Sequence, residues 1–123
     1  MLSRQRVLII EDVSLIALDI QRILDESNAE QAVFARNFGE ARALAGGFSG
    51  FDLAIVNPPH DGSPDMEAAA LLAAACPAIV VCTASSATDL SGTPLAAAEL
   101  IVKPFSDGDL LAACQRARAR SVT

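Results

Sequence analysis

The sequence predicts an α/β protein with a doubly wound, five-stranded parallel sheet, and two observations lead to this fold class. Short apolar runs alternate with segments of helical periodicity along the whole chain, and the first run, RVLII, lacks the alternation of a strand with one solvated face. Parallel neighbours need crossover connections, which the helical segments supply. One common order for five such strands is 2-1-3-4-5. With 123 residues, the chain is expected to form one domain, 1-123.

The first half of the chain supplies two strands and two helices. The first strand is Arg6–Ile10, and a weaker second strand covers residues 32–35. The helix between them, residues 14–27, is predicted from apolar residues at i, i+4, i+7 and i+8, which are Ile16, Ile20, Ile23 and Leu24. A short second helix, residues 40–45, is ended by two glycines.

The middle of the chain repeats this strand and helix order. The third strand, Asp52–Val56, is soon followed by two prolines, which cannot continue a central ladder. Ser63 is the predicted N-cap of a third helix that runs to about residue 76. The fourth strand is AIVVCT, residues 78–83.

The last part of the chain contains one irregular segment, a strand and a helix. A glycine and a proline interrupt residues 85–99, so a regular full-length fourth helix is not expected there. The fifth strand is residues 100–102. Ser106, with Asp109 three residues later, predicts the capped start of a fifth helix that reaches about residue 119.

Composition excludes several classes of partner. The formal net charge of −6 argues against nucleic-acid and anionic-membrane surfaces, which need clustered Lys and Arg. The three cysteines, Cys76, Cys82 and Cys114, form no CxxC pair and predict neither a zinc site nor disulfides. They are expected to be buried in a reducing compartment. The first apolar run is too short for a signal peptide or a membrane span, so a cytoplasmic location is predicted.

Polar side chains stand where four of the predicted strands end. They are Glu11, Asp12, Asn57, Thr83 and Lys103. The carboxyl ends of parallel strands share one edge of the sheet, where ligands bind near the point at which strand order reverses. Two adjacent acids need a cation nearby, which Lys103 or a hard ion such as Mg²⁺ would supply. The pattern predicts an oxyanion and metal pocket at this edge.

Four motifs, VLIIED, DLAIVN, VVCTA and LIVKPF, make the chain resemble the receiver domain of two-component response regulators, the CheY-like variant of the flavodoxin-like fold. The resemblance implies that Glu11, Asp12 and the carbonyl of Pro59 bind Mg²⁺. It also implies that Thr83 and Lys103 contact a phosphoryl group. In this family the third strand is followed by an Asp that accepts the phosphoryl group from a histidine kinase.

Asn57 stands at this acceptor position and makes the chain an atypical receiver. An amide oxygen is a poor nucleophile, so phosphoryl transfer to this residue is not expected. The amide is expected to accept a hydrogen bond from Lys103. The two carboxylates and the one ammonium give this pocket a formal charge of −1, whereas a pocket with an Asp acceptor would have −2. The lost charge weakens the expected Mg²⁺ site. Asp61 and Leu100 replace the proline and the aromatic switch residue usual in the family.

The expected function is therefore a non-enzymatic, receiver-like signalling module that acts by phosphorylation-independent protein–protein interaction. The expected partner is a histidine kinase, a phosphotransfer protein or a downstream target. The resemblance also implies a surface for a homodimer, formed by the fourth helix, the fifth strand and the fifth helix. One alternative uses Asp12 or Asp61 as the phosphoacceptor, or titrates a kinase or phosphotransfer protein. A second alternative is a flavodoxin-like FMN-binding protein. Glu11 and Asp12 argue against it, because their carboxylates would repel the FMN phosphate.

Overall fold

The computed structural model describes residues 6–27, 31–37, 40–41, 43, 50–57, 66–83, 98–103 and 105–121. These residues contain five strands and three helices with defined bounds: β1 Arg6–Ile10, α1 Ser14–Glu26, β2 Gln31–Ala35, β3 Leu53–Val56, α2 Met66–Ala75, β4 Ile79–Thr83, β5 Glu99–Val102 and α3 Asp107–Ser121. Residues 40, 41 and 43 of the predicted second helix are also helical. The prediction for residues 85–97, including the interruption by Gly92 and Pro94, lies outside the described residues.

The strands form one parallel sheet in the order β2-β1-β3-β4-β5, which confirms the predicted fold class. The register places Ile10 beside Val56 in the β1–β3 pair and Thr83 beside Val102 in the β4–β5 pair. Strand order reverses between β1 and β3, so the crevice beyond their carboxyl ends is the point at which this fold places ligands.

Two apolar layers cover the sheet, because successive side chains of a strand point to opposite faces. Val7 and Ile9 of β1 pack in the same cluster as buried residues of α1 and α3. Leu8 and Ile10 pack on the other face with Leu72 of α2. These four apolar residues of β1 are 0–1% exposed, as expected for a strand covered on both faces. The strand that leads to Glu11 is therefore packed on both sides.

Helix α1 buries the face that the sequence predicted. Ile20, Ile23 and Leu24 are at most 2% exposed, and Ile16 packs against the same cluster. The guanidinium of Arg22 on the opposite face pairs with Asp19, Glu26 and Asp107, and so joins α1 to α3. These ion pairs are exposed, so each contributes little to stability. In the described parts of the chain, no helix is long and apolar enough to cross a membrane.

Helix α3 begins with the capping box that Ser106 and Asp109 predicted. The Asp109 N–H donates to Ser106 Oγ at 3.0 Å, and the Ser106 N–H donates to Asp109 Oδ2 at 3.1 Å. Leu110 follows as a fully buried anchor, and Leu111 packs against the same core cluster.

Replacing Ser106 with Ala is expected to reduce the free energy of unfolding by about 1 kcal/mol, because one N–H at the start of α3 loses its acceptor. Urea denaturation measures the loss. Ser106→Asp is the matched control, since its carboxylate also caps a helix, and it should retain most of the stability. Equal stability of Ser106→Ala and wild type would show that α3 does not depend on this cap.

The three cysteines are free thiols buried in the core, as predicted. Burial raises the pKa of Cys76 from 9.0 to about 11, and it raises the pKa of Cys82 and Cys114 to about 12. Each thiol keeps its proton to higher pH in the folded protein than in the unfolded chain, where the pKa is near 9.0. The stabilisation linked to these protons is therefore present below pH 9 and is lost as the pH rises towards 12.

At about pH 8 we expect an aromatic disulfide reagent to react slowly with the folded protein and quickly with all three thiols after denaturation. The free energy of unfolding should also fall between about pH 9 and pH 11. Absorbance of the released thiolate and urea denaturation at several pH values measure the two effects. Rapid reaction of one thiol in the folded state would contradict its burial.

Candidate functional site at the carboxyl edge of the sheet

Three backbone hydrogen bonds extend the strand ladders by one residue and place the candidate residues. The Asn57 N–H donates to the Ile10 carbonyl at 2.7 Å, and the Lys103 N–H donates to the Thr83 carbonyl at 2.7 Å. The Glu11 N–H donates to the Ala35 carbonyl at 3.0 Å. Each residue directly follows a strand of the sheet, and its hydrogen bond holds its backbone at the carboxyl edge.

Glu11 lies at the centre of the site, with a relative exposure of only 1%. Its Oε1 accepts a hydrogen bond from Lys103 Nζ at 2.8 Å, in an ion pair whose lysine side chain is 15% exposed. Its Oε2 accepts from Asn57 Nδ2 at 2.7 Å and from the Val13 N–H at 3.1 Å. A buried carboxylate is stable only when it is paired and hydrogen-bonded, and Glu11 meets both conditions.

Asn57 joins both acids through its amide nitrogen. Asn57 Nδ2 lies 2.7 Å from Glu11 Oε2 and 3.2 Å from Asp12 Oδ1. An amide nitrogen carries two N–H donors, so one group can serve both carboxylates. The opposite orientation would place the amide oxygen against two carboxylate oxygens, with no proton between them. The charges of Glu11 and Asp12 therefore set the orientation of the Asn57 side chain.

This geometry corrects one expectation. We expected Asn57 to accept a hydrogen bond from Lys103, but Lys103 Nζ donates to Glu11 and Asn57 acts as a donor to the acids. The ammonium is the stronger donor and Glu11 is the more buried acceptor, so their pairing removes the larger desolvation cost. The hydrogen bond from the Val13 N–H to Glu11 was not predicted either, because every residue except proline has a backbone N–H and the sequence does not show which one will be used.

Of the other predicted site residues, Thr83 is 6% exposed at the end of β4, at the same edge of the sheet. Leu100, at the family's aromatic switch position, is partly buried and packs against the cluster that contains Leu8 and Ile10. Pro59, whose carbonyl was expected to ligate Mg²⁺, and Asp61 both lie outside the described residues. The described part of the pocket thus consists of two acids, an amide, a lysine and a threonine.

The carboxylate oxygens of Glu11 and Asp12 are of the type that Mg²⁺ prefers, but their arrangement does not fit the ion. Three N–H donors occupy both oxygens of Glu11, and Asn57 turns a nitrogen towards the acids. In the described parts of the chain, no group of three or more His, Cys, Asp or Glu side chains is placed to hold a metal ion. A cation placed between the two acids would have to displace the Asn57 N–H group from them.

No protein-family model and no curated protein matches the chain. Solved structures do match the chain. A response regulator receiver protein from Sinorhizobium medicae WSM419 is 17% identical, with a TM-score of 0.77 over 98% of this chain and 99% of its own. A receiver domain protein from Bacillus halodurans C-125 is 21% identical, with a TM-score of 0.72 over 93% of this chain and 97% of its own.

A third solved structure is the receiver domain of a sensor histidine kinase from Pseudomonas aeruginosa PAO1, with a magnesium ion coordinated in its active-site cleft. It is 18% identical and has a TM-score of 0.73 over 95% of this chain and 99% of its own. These similarities extend over nearly the whole chain and agree with the strand order and the motifs. The chain therefore has the fold of the receiver domains of response regulators.

Proposed function

We propose that the protein is a receiver-like signalling module of a two-component or phosphorelay system that acts through phosphorylation-independent protein–protein contacts. One observation carries the proposal: the residue at the acceptor position, Asn57, is an amide that donates hydrogen bonds to Glu11 and Asp12. It has no carboxylate oxygen to attack phosphorus. The protein is accordingly proposed to be a cytoplasmic binding module and not an enzyme.

Asp12 is a poor substitute acceptor in this arrangement. Its Oδ1 accepts a hydrogen bond from Asn57 Nδ2 at 3.2 Å, which draws electron density from the nucleophilic oxygen. Its neighbour Glu11 holds the ammonium of Lys103, the cation that the resemblance assigns to the phosphoryl group. In-line attack through Asp12 Oδ1 would require the hydrogen bond from Asn57 to break, and neutralisation of the phosphoryl group by Lys103 would require the ion pair with Glu11 to rearrange. These contacts favour the phosphorylation-independent function over a relay through Asp12.

The proposed partner surface is the predicted fourth helix together with β5 and α3, either for a homodimer or for a kinase, phosphotransfer protein or downstream target. Leu110 anchors α3 to the core, and Arg116 Nε of α3 pairs with Glu99 Oε2 of β5 at 3.2 Å. Val102 of β5 is 39% exposed, although it is apolar. Residues 85–97 of this surface lie outside the described residues.

Incubation of the wild-type protein with acetyl phosphate and Mg²⁺, followed by intact mass spectrometry, tests the proposal. We expect a single species at the unmodified mass. The matched variant is Asn57→Asp, which restores the acceptor carboxylate and is expected to gain one phosphoryl group. A phosphorylated wild-type species would overturn the proposal and would direct attention to Asp12 and Asp61 by peptide mapping.

A further inference from the structure

We propose that Asn57 and Lys103 are built-in substitutes for a divalent cation, so that the pocket of Glu11 and Asp12 is permanently assembled and does not respond to Mg²⁺. The inference rests on the proposed function, because it explains how a receiver fold without phosphoryl chemistry keeps its acidic pocket intact. It adds that the module is insensitive to the ion as well as to the phosphodonor.

Both carboxylate oxygens of Glu11 already accept hydrogen bonds. This side chain is 1% exposed, and an unpaired carboxylate at such a position is strongly destabilising. Lys103 Nζ, at 2.8 Å, brings a full positive charge to Oε1. Oε2 accepts hydrogen bonds from Asn57 Nδ2 at 2.7 Å and from the Val13 N–H at 3.1 Å. Both oxygens therefore have strong donors in the absence of a metal.

The Asn57 amide nitrogen lies between the two acids. Asn57 Nδ2 is within hydrogen-bonding distance of one oxygen from each acid, Glu11 Oε2 and Asp12 Oδ1. A group that bridges two carboxylates performs the task for which a cation would otherwise be needed. The nitrogen has no lone pair available for a metal, so the side chain blocks a cation there and does not ligate it.

Binding of a cation between the acids would require a rearrangement of this amide. The amide of Asn57 would have to rotate so that its oxygen faces the acids, and Glu11 Oε2 would lose its shortest hydrogen bond. The formal charge of the pocket is −1, so the ion also gains less Coulomb attraction than at a pocket with a third carboxylate. Blocking by the amide and loss of charge both oppose binding, and they can be separated.

Asn57→Ala and Asn57→Asp separate the two effects. Alanine removes the blocking N–H groups without adding charge, whereas aspartate removes them and adds a carboxylate. If the amide blocks the ion, Asn57→Ala binds Mg²⁺ more tightly than the wild type even though it has one potential ligand fewer. If the wild type binds weakly only because it lacks charge, Asn57→Ala binds no better than the wild type.

The experiment is a titration of each ¹⁵N-labelled protein with MgCl₂, monitored through the backbone amides of residues 10–13, 57 and 103. We expect no saturable shifts for the wild type up to about 10 mM, and binding at least about tenfold tighter by Asn57→Ala and tighter again by Asn57→Asp. Saturable binding by the wild type anywhere within this range would overturn the inference. Asn57→Ala binding no more tightly than the wild type would also overturn it.

This titration uses no phosphodonor, so its outcome is independent of the test of the proposed function. Mg²⁺ binding by a wild type that stays unphosphorylated would refute the built-in substitute and leave the proposed function standing. A phosphorylated wild type would refute the proposed function directly. If either variant fails to fold, saturable binding of Mg²⁺ by the wild type would still overturn the inference.

Discussion

Replacing Asn57 with Asp should lower the free energy of unfolding by about 2–4 kcal/mol at neutral pH in the presence of a chelator. The substitution removes the two N–H donors that Asn57 Nδ2 offers to Glu11 and Asp12. It also brings three carboxylates together around one ammonium. Lys103 and solvent around the exposed Asp12 reduce the repulsion, which is why the expected loss is no larger.

The same variant should recover stability when Mg²⁺ is added, because a cation that binds only the folded state stabilises it by mass action, by about 2.7 kcal/mol at a hundredfold excess over the dissociation constant. Thermal melts of both proteins with chelator and with MgCl₂ measure the effect. The wild type should melt at the same temperature in both buffers. Asn37→Asp is the matched control, since it converts an exposed amide to a carboxylate at a helix start, where Asn37 Oδ1 accepts from the Glu40 N–H at 2.8 Å.

If Asn57→Asp were as stable as the wild type in chelator, the hydrogen bonds from Asn57 would contribute nothing to the pocket. If Asn37→Asp showed the same Mg²⁺ dependence, the ion would be acting on net charge and not at this edge of the sheet. Either result would contradict the geometry described above.

Replacing Lys103 with Met is expected to cost about 3 kcal/mol of unfolding free energy, because the buried carboxylate of Glu11 loses its counter-charge. The estimate is at the lower end for a broken buried pair, since Lys103 keeps 15% of its side-chain surface exposed. Methionine preserves most of the apolar length of lysine, so packing changes little. Urea denaturation at neutral pH provides the measurement.

The control for Lys103→Met is the double variant Glu11→Gln with Lys103→Met. Glutamine removes the buried charge, and its amide oxygen can still accept from Asn57 and Val13, so the double variant should recover at least half of the lost stability. If Lys103→Met alone costs less than about 1 kcal/mol, the donors on Oε2 suffice for Glu11 and the ion pair is not required.

The sequence predicted the architecture well for particular physical reasons. β1, β3 and β4 are continuous apolar runs because both faces of the sheet are covered, and α1 shows a clear helical repeat because only one face is buried. The final helix was identified from Ser106 and Asp109, since a capping box depends only on residues close in sequence. Helix α3 continues to Ser121, about two residues beyond the predicted end.

The candidate site was predictable in its membership but not in its hydrogen bonds. That Glu11, Asn57 and Lys103 share one edge follows from the parallel direction of the strands, which the alternation of strands and helices predicted. Which atom donates to which acceptor depends on relative burial and side-chain direction, and these are set by the whole sheet. The pairing of Lys103 with Glu11 and the orientation of the Asn57 amide towards the acids depend on contacts between distant parts of the chain.

The central claim is that the amide nitrogen of Asn57 bridges Glu11 and Asp12. Its most direct test is solvent exchange of the Asn57 side-chain NH₂ protons, measured by ¹⁵N NMR in the presence of a chelator. We predict a protected pair of resonances that exchanges much more slowly than the side-chain amides of exposed residues such as Asn37 and that does not move when Mg²⁺ is added. Rapid exchange equal to that of Asn37, or a shift that saturates with Mg²⁺, would contradict the account.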